Sequence, residues 1–282
     1  MPDPFLSVVV PVLNGMPWLE LQLQALSAQE IPCAWEVVVA DNGSRDGTRS
    51  CVEAWSERDA RIRWVDASAR PGAGAARNIG VGSARGRTLA FCDADDLVRP
   101  GWLAALMAAL TDADVVAGVF DFGCLNGRPA SIPIPAATRQ LGFLPFGLGA
   151  NLALRRDAFE AMHGFRETLP AGEDIDLSWR LQLAGFRFAV SADAVVAKRE
   201  RREGMPLLRA TWAYGQSGAL LYRWFKTNGM RRDLRGAVRT WAWLVAMSPR
   251  LIRPGLRREW VRSFGVRSGR LSGSAKYRVF FP

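Results

Sequence analysis

Glu36-Val37-Val38-Val39-Ala40 runs directly into Asp41-Asn42-Gly43-Ser44-Arg45-Asp46-Gly47-Thr48, an apolar β-branched stretch ending in an acidic, turn-rich one. An apolar run of this length without alternation suits a strand covered on both faces, as in a parallel sheet. Ser7-Val8-Val9-Val10-Pro11 has the same character, and between the two Leu19, Leu21, Leu23 and Leu26 lie among Gln and Glu as on a helix. Strand, helix and strand within about 35 residues make a βαβ unit. Arg61–Val65 and Arg87–Cys92 continue the alternation, with helices predicted near 48–56 and 75–84. The first hundred residues therefore read as a Rossmann-like, mostly parallel α/β sheet with flanking helices.

Further on, the signals thin out. Pro129, Pro133 and Pro135 mark a loop or edge excursion. Asp174–Ala184 reads as a helix stopped at Gly185, followed by short strands at Phe186–Val190 and Ala194–Ala197. From 205 the pattern is helical, broken at Gly229, Pro249 and Pro254. The 282 residues are 49% hydrophobic and 23% charged, which excludes a disordered or fibrous chain. No apolar run reaches the roughly 20 residues that span a bilayer, and Met1-Pro2-Asp3-Pro4 lacks the basic-then-apolar pattern of a secretory leader. A cytoplasmic protein is expected. Cys33, Cys51, Cys92 and Cys124 are scattered, with His163 the single histidine, so they are expected to be reduced and mostly buried thiols.

Charge divides the chain. The net +10 is concentrated at the C-terminus, where residues 201–282 hold 18 Lys+Arg against 3 Asp+Glu, and five of the eleven tryptophans: Trp212, Trp224, Trp241, Trp243 and Trp260. We therefore divide the chain into a domain at 1–204 and a basic, Trp-rich helical extension at 205–282. Arginine interleaved with tryptophan suits an anionic membrane surface; nucleic acid is the other natural polyanion. A solvated helical face packed on the main domain explains the composition as well.

In an open parallel sheet, ligands bind beyond the carboxyl ends of the strands, so acids immediately after strands are informative. Asp41 follows one strand and Asp93-Ala94-Asp95-Asp96 another. Three carboxylates within four residues repel unless a cation joins them or one is protonated; oxygen-rich clusters suit Mg²⁺ or Mn²⁺ completed by a phosphate. The structural alternative is a capped turn, with Asp96 capping a helix near Pro100 and Asp46 holding its own bend. Arg70-Pro71-Gly72-Ala73-Gly74-Ala75-Ala76-Arg77 opens a helix that can offer amides and the Arg77 cation to an anion, although it fits neither common phosphate motif. Gly172-Glu173-Asp174-Ile175-Asp176-Leu177 places acids in a first helical turn, where the dipole alone accounts for them.

Taken in order, Val10-Pro11-Val12-Leu13-Asn14, Val39–Thr48, Ala76-Arg77-Asn78-Ile79-Gly80, Phe91–Asp96 and Gly172–Leu177 closely resemble family 2 glycosyltransferases of the GT-A fold, over roughly residues 5–200. The resemblance implies an inverting transferase that uses a nucleoside diphosphate sugar and a divalent metal, Mg²⁺ or Mn²⁺. It implies that Pro11 to Asn14, Asp41 and Asn42 contact the nucleotide. It also implies that Asp93 to Asp96 hold ribose, metal and diphosphate, with Asp95 and Asp96 at the metal, and that Asp174 is the catalytic base. Two positions depart from the family. Where many members carry a histidine, Val195-Val196-Ala197-Lys198-Arg199 offers Lys198, which can pair with diphosphate and lessen the demand for metal. Leu13 stands where some relatives stack an aromatic on the base. Processive synthases resembling this family carry a Gln or Arg three residues before an Arg-Trp pair; here Leu220 precedes Arg223-Trp224, so processive synthesis is not expected.

Three functions stay open on these residues. The leading one adds one sugar to a glycan or glycolipid acceptor of the cell surface, with the basic extension on the inner face of the plasma membrane. A metal-dependent nucleotidyltransferase would use the same carboxylates and release pyrophosphate. A nucleic-acid-binding protein would use the basic tail, but it leaves the rim acids without a purpose, so no nucleic acid partner is expected.

Overall fold

The computed structural model describes residues 5–129, 134–135, 141–200, 204–250 and 254–282. By chain contacts they fall into two compact units: one from 1–138, 145–167 and 174–200, the other from 139–144, 168–173 and 201–282.

The first unit opens as the sequence predicts. Strands β1 (Leu6–Val12), β2 (Trp35–Asp41), β3 (Ile62–Asp66) and β4 (Thr88–Cys92) alternate with helices α1 (Trp18–Ser27), α2 (Thr48–Arg58) and α3 (Ala73–Ser83). The four strands are parallel, in the order β3-β2-β1-β4. β1 and β2 are buried throughout because both faces are covered. Val8 and Val10 pack with Leu19, Leu23, Trp102 and Leu106; Val9 packs on the other side with Val38, Leu89, Phe91 and Leu152. Helix α3 comes close to β1 because residue 80 is glycine: a Cβ there would lie 2.6 Å from the Val9 side chain.

Beyond β4 the direction changes. β5 (Leu97–Val98) and α4 (Trp102–Ala109) lead to β6 (Val115–Asp121), β7 (Ile134–Pro135), β8 (Asn151–Arg155), α5 (Arg156–Ala161), α6 (Glu173–Leu183) and β9 (Phe188–Ala197). β8 is antiparallel to both β4 and β6, while β9 is parallel to β6 and carries β5 antiparallel on its far side. The sheet is thus parallel in its first half and mixed in its second. The two short strands predicted after Gly185 are one strand, β9, with a shift of register opposite Ala117 and Val119, so that the polar Ser191-Ala192-Asp193 segment is absorbed without ending the strand. Helix α4 is not capped by Asp96: its N-cap is Gly101, at φ 79°, and Asp96 is engaged elsewhere. The predicted 129–135 excursion falls largely outside the described residues, apart from β7, which pairs antiparallel with β6. All four cysteines are free thiols, but only Cys92 is buried; Cys33 and Cys51 are half-buried and Cys124 is exposed.

The reversal at β8 builds the site. Cys92 at the end of β4 pairs with Asn151 at the start of β8, so the residues after one strand and before the other share a rim. Ala197 at the end of β9 pairs with Asp121 and with Leu97, which brings Lys198 to the same rim. Asn151 fixes the junction from within, donating to the carbonyls of Val119 and Ala194 at 3.0 and 2.9 Å and accepting from Trp102 Nε1 at 2.8 Å.

The second unit contains helices α7 (Met205–Phe225), α8 (Leu234–Met247) and α9 (Pro254–Lys276). α7 and α9 pack backbone to backbone. Cβ atoms at Gly265, Gly269 and Gly273, one every fourth residue of α9, would lie 2.0 Å from Thr211 Oγ1, 2.1 Å from the Trp212 carbonyl and 2.9 Å from Gln216. Among the described residues, no helix is long and apolar enough to cross a membrane.

Candidate active site

Asp93, Asp95 and Asp96 follow β4 with one carboxylate oxygen from each lying within 4.8 Å of the others. The repulsion expected of such a cluster is relieved by cations of the protein itself. Lys198 Nζ donates to Asp93 Oδ2 at 3.0 Å and to Asp96 Oδ2 at 2.6 Å, and Arg77 donates to Asp93 Oδ1 at 2.9 Å. The Arg199 amide donates to Asp96 Oδ1 at 2.9 Å and its Nε to the Asp95 carbonyl at 3.0 Å, while its guanidinium stacks 3.6 Å over Trp18. Gln22, buried on α1, holds the turn from behind by donating to the Asp93 carbonyl and accepting from the Val98 amide, both at 3.0 Å.

These contacts divide the three acids. Burial opposes ionisation of Asp93, but Lys198 and Arg77 outweigh it and hold its carboxyl well below the usual carboxylate range. Burial pushes Asp96 upward and Lys198 only partly offsets it, because Asp93 and Asp95 add repulsion. Burial likewise opposes the Lys198 charge, yet Asp93 and Asp96 keep it firmly protonated. Asp95 is exposed, and among the described residues its carboxylate has no partner. A hard divalent cation fits this donor set: Asp95 offers both oxygens, and the oxygens of Asp93 and Asp96, each already accepting one hydrogen bond, keep a further lone pair.

Asp174 lies at the start of α6. Its Oδ2 accepts from the Gly149 amide at 2.8 Å and its Oδ1 from the Ile175 amide at 2.8 Å. Gly149 in turn lies against Arg77, since a Cβ at 149 would stand 2.8 Å from the Arg77 Cζ. Asp174, Gly149, Arg77, Asp93, Lys198 and Asp96 therefore form one polar chain across the rim, linked by hydrogen bonds and, between Gly149 and Arg77, by close packing. Asp176, two residues on, has a different job: fully buried, it accepts from Arg166 at 2.9 Å and Arg180 at 2.7 Å and ties α6 to the preceding turn.

The residues expected at the nucleotide sit along the same edge but are largely committed to the protein. Pro11 is buried in β1 opposite Ala40. Asn14, at φ 54°, accepts from the Arg45 amide at 2.8 Å, and its own amide donates to Ser44. Asp41 Oδ1 accepts from the Gly43 and Ser44 amides, and its Oδ2 accepts from Trp64 Nε1 at 3.2 Å. Asn42 donates to the Ala67 and Arg70 carbonyls and accepts from the Gly72 amide at 2.8 Å, which fixes the glycine loop at the head of α3. Asp46 does hold its own bend, accepting from Thr48 and from the Met16 amide. Leu13 is 58% exposed beside this edge.

Residues 7–162 match the profile of glycosyl transferase family 2, and that span is more than half of the chain. The chain belongs to this family. It is similar to the glycosyltransferase AglE of Haloferax volcanii, with 29% identity over 68% of this chain and 66% of that protein. It is also similar to the succinoglycan biosynthesis protein ExoO of Rhizobium meliloti, with 31% identity over 68% of this chain and 59% of that protein. The chain spans about half to two thirds of the length of such relatives. Among solved structures, the mannosyltransferase PcManGT from Pyrobaculum calidifontis, in complex with GDP-Man and Mn²⁺, aligns with a TM-score of 0.67 at 19% identity, over 96% of this chain and 87% of that one. S. aureus TarS in complex with UDP-GlcNAc aligns with a TM-score of 0.58 at 21% identity, over 98% and 93%. These likenesses give the fold of the family, a mixed curled sheet with flanking helices.

Three residues in or beside the polar chain were given no role by the sequence reading. Arg199 was visible only as the neighbour of Lys198, and its contact with Trp18 joins segments far apart in sequence. Gly149 acts through its amide and its missing side chain, which no pattern of charge or hydropathy reports. Gln22 looked like a polar residue on a helix, although its side chain is fully buried.

Proposed function

We propose that this protein transfers one sugar, with inversion at the anomeric carbon, from a nucleoside diphosphate sugar to a hydroxyl of a glycan or glycolipid. The observation that carries this reading is the polar chain across the rim, which has a carboxylate acceptor, Asp174, at one end and an acid–cation cluster at the other. Inversion in a single displacement requires a base on the face opposite the leaving group. Asp174 is anchored by the Gly149 and Ile175 amides, so its carboxylate is oriented before any acceptor arrives. It takes the proton from the attacking hydroxyl. Arg77 and Lys198 face the diphosphate, and Asp93 holds both of them in position. Pro11 to Asn14, Asp41 and Asn42 shape the nucleotide edge. A divalent Mg²⁺ or Mn²⁺ held at Asp95 and Asp96 would offset charge that grows on the leaving diphosphate. Because Lys198 already supplies a cation within the cluster, dependence on metal is weaker than where a neutral side chain stands there. The GDP-Man and Mn²⁺ bound by one structural neighbour, and the UDP-GlcNAc bound by another, support a donor of this class.

The same reading places the protein in the cytoplasm, with the basic extension on the anionic inner face of the plasma membrane, where lipid-linked or growing surface glycans are at hand. Thermal unfolding with UDP, dTDP and GDP, each with and without Mn²⁺, tests the donor: the correct nucleotide at about 100 times its dissociation constant adds roughly 2.7 kcal/mol. Asp174→Asn tests the base. Transfer falls by about 10²-fold or more while nucleotide binding is unchanged; near-normal turnover in this variant overturns the assignment.

A further inference from the structure

Helix α8 carries an apolar stripe that the described residues leave exposed. Asp233 caps the helix, accepting from the Gly236 amide at 2.7 Å. One side turns inward: Ala237 and Leu244 are buried, Trp241 meets Phe264 edge-on at 6.4 Å, and Trp260 Nε1 donates to the Leu244 carbonyl at 2.8 Å. Beside that side lie Leu234, Val238, Ala242 and Val245, spaced by four, four and three residues, so they share roughly 80° of arc at about 100° per residue. Val238 and Val245 are 70% and 72% exposed, the most exposed large apolar side chains among the described residues. Helix propensity gives no reason for valine there, since a β-branched side chain on an open helical surface is worse than alanine or lysine. On the outer flank of the stripe stand Arg235 and Arg239, both exposed, with Arg231 just before the helix. Residues 204–282 contain sixteen Lys and Arg but only Asp233 and Glu259 as acids, and Asp233 is spent on the cap.

We propose that this stripe is the surface by which the protein seats itself on an anionic bilayer, with Leu234, Val238 and Val245 entering the headgroup–acyl boundary and Arg231, Arg235 and Arg239 meeting lipid phosphates. Charge complementarity selects the occupant. A polyanion in water, such as duplex nucleic acid, would use the arginines but give nothing to two exposed valines, whereas an anionic lipid surface satisfies both. The half-buried Trp241 borders the stripe on its inner side, where an indole suits the membrane interface. The inference deepens the membrane part of the proposed function and does not depend on the transfer chemistry.

Sedimentation of the full chain with vesicles tests it. Phosphatidylcholine vesicles containing about a third phosphatidylglycerol carry the protein down at physiological salt, pure phosphatidylcholine does not, and raising the salt weakens the binding without abolishing it. Val238→Ser with Val245→Ser leaves the net charge untouched and lowers the partition coefficient by about tenfold or more. Arg235→Gln with Arg239→Gln lowers it too and flattens the salt dependence. Both pairs keep the thermal unfolding and the nucleotide binding of the parent, so a failed donor assignment would register separately. The proposal is overturned if the serine pair binds vesicles like the parent, if the parent ignores phosphatidylglycerol, or if the serine pair changes only self-association or duplex DNA binding.

Discussion

Replacing Lys198 by methionine keeps the length and most of the apolar stem of the side chain but removes the ammonium that bridges Asp93 and Asp96 at 3.0 and 2.6 Å. Asp96 then has a fully buried carboxylate beside two others and no cation of its own. Removing one partner of a buried pair costs about 3–5 kcal/mol. The lysine side chain is 23% exposed, so the lower end, about 3 kcal/mol, applies. For a domain of this size, about 2–4 °C per kcal/mol converts that into a fall in Tm of roughly 6–12 °C at neutral pH, read by calorimetry. Adding Mn²⁺ should raise the Tm of Lys198→Met by several degrees more than that of the parent, because the divalent ion inherits the carboxylates the ammonium has left. In turnover, EDTA should abolish the activity of the variant while the parent keeps a measurable remainder. A loss below about 1 kcal/mol, or equal Mn²⁺ responses in the two proteins, would refute the idea that Lys198 is the built-in cation of this cluster.

Two further outcomes follow from individual contacts. Gly149→Ala puts a methyl 2.8 Å from the Arg77 Cζ and pushes the guanidinium off Asp93; nucleoside diphosphate affinity, measured by calorimetry, should fall about tenfold, or about 1.4 kcal/mol, while the overall fold persists. Asp59 accepts two bonds from the Arg61 guanidinium and one from Ser27, and these partners hold its carboxyl down at about 2 against the drag of burial. A folded-state value below the unfolded one means that this stability is present above about pH 4 and is lost as pH falls toward 2. Asp59→Asn should therefore cost about 1 kcal/mol near neutrality, after allowance for solvent screening, and make the acid limb of the stability curve shallower.

How much of this could be read in advance depended on how each segment is stabilised. β1, β2 and β4 were legible because strands covered on both faces are apolar almost throughout, as in Val8-Val9-Val10 and Val37-Val38-Val39, while the partly buried β3 was read from its place in the alternation. β8 was not, because Asn151–Arg155 is five residues long and its antiparallel placement is decided by partners on both sides. β9 was read as two strands because a register shift lets a polar triplet sit inside one. The acid cluster was visible from charge alone, whereas its neutralisation by Lys198 depends on strands more than a hundred residues apart meeting at one rim. Asp41 and Asn42 show the limit of the reverse inference. Their position at a strand end was right, but much of their hydrogen-bonding capacity goes to the local turn, to Trp64 and to the α3 loop.

The glycine row of α9 has a consequence for the helices around it. Where Gly265, Gly269 and Gly273 let two main chains touch, separation is set by hard-core repulsion and dispersion. Neither of these weakens when water gives way to hydrocarbon, unlike an interface sustained by excluding solvent. The α7–α9 pair is thus a beam whose stiffness is indifferent to its medium, able to keep one geometry whether it is bathed in buffer or pressed against fat.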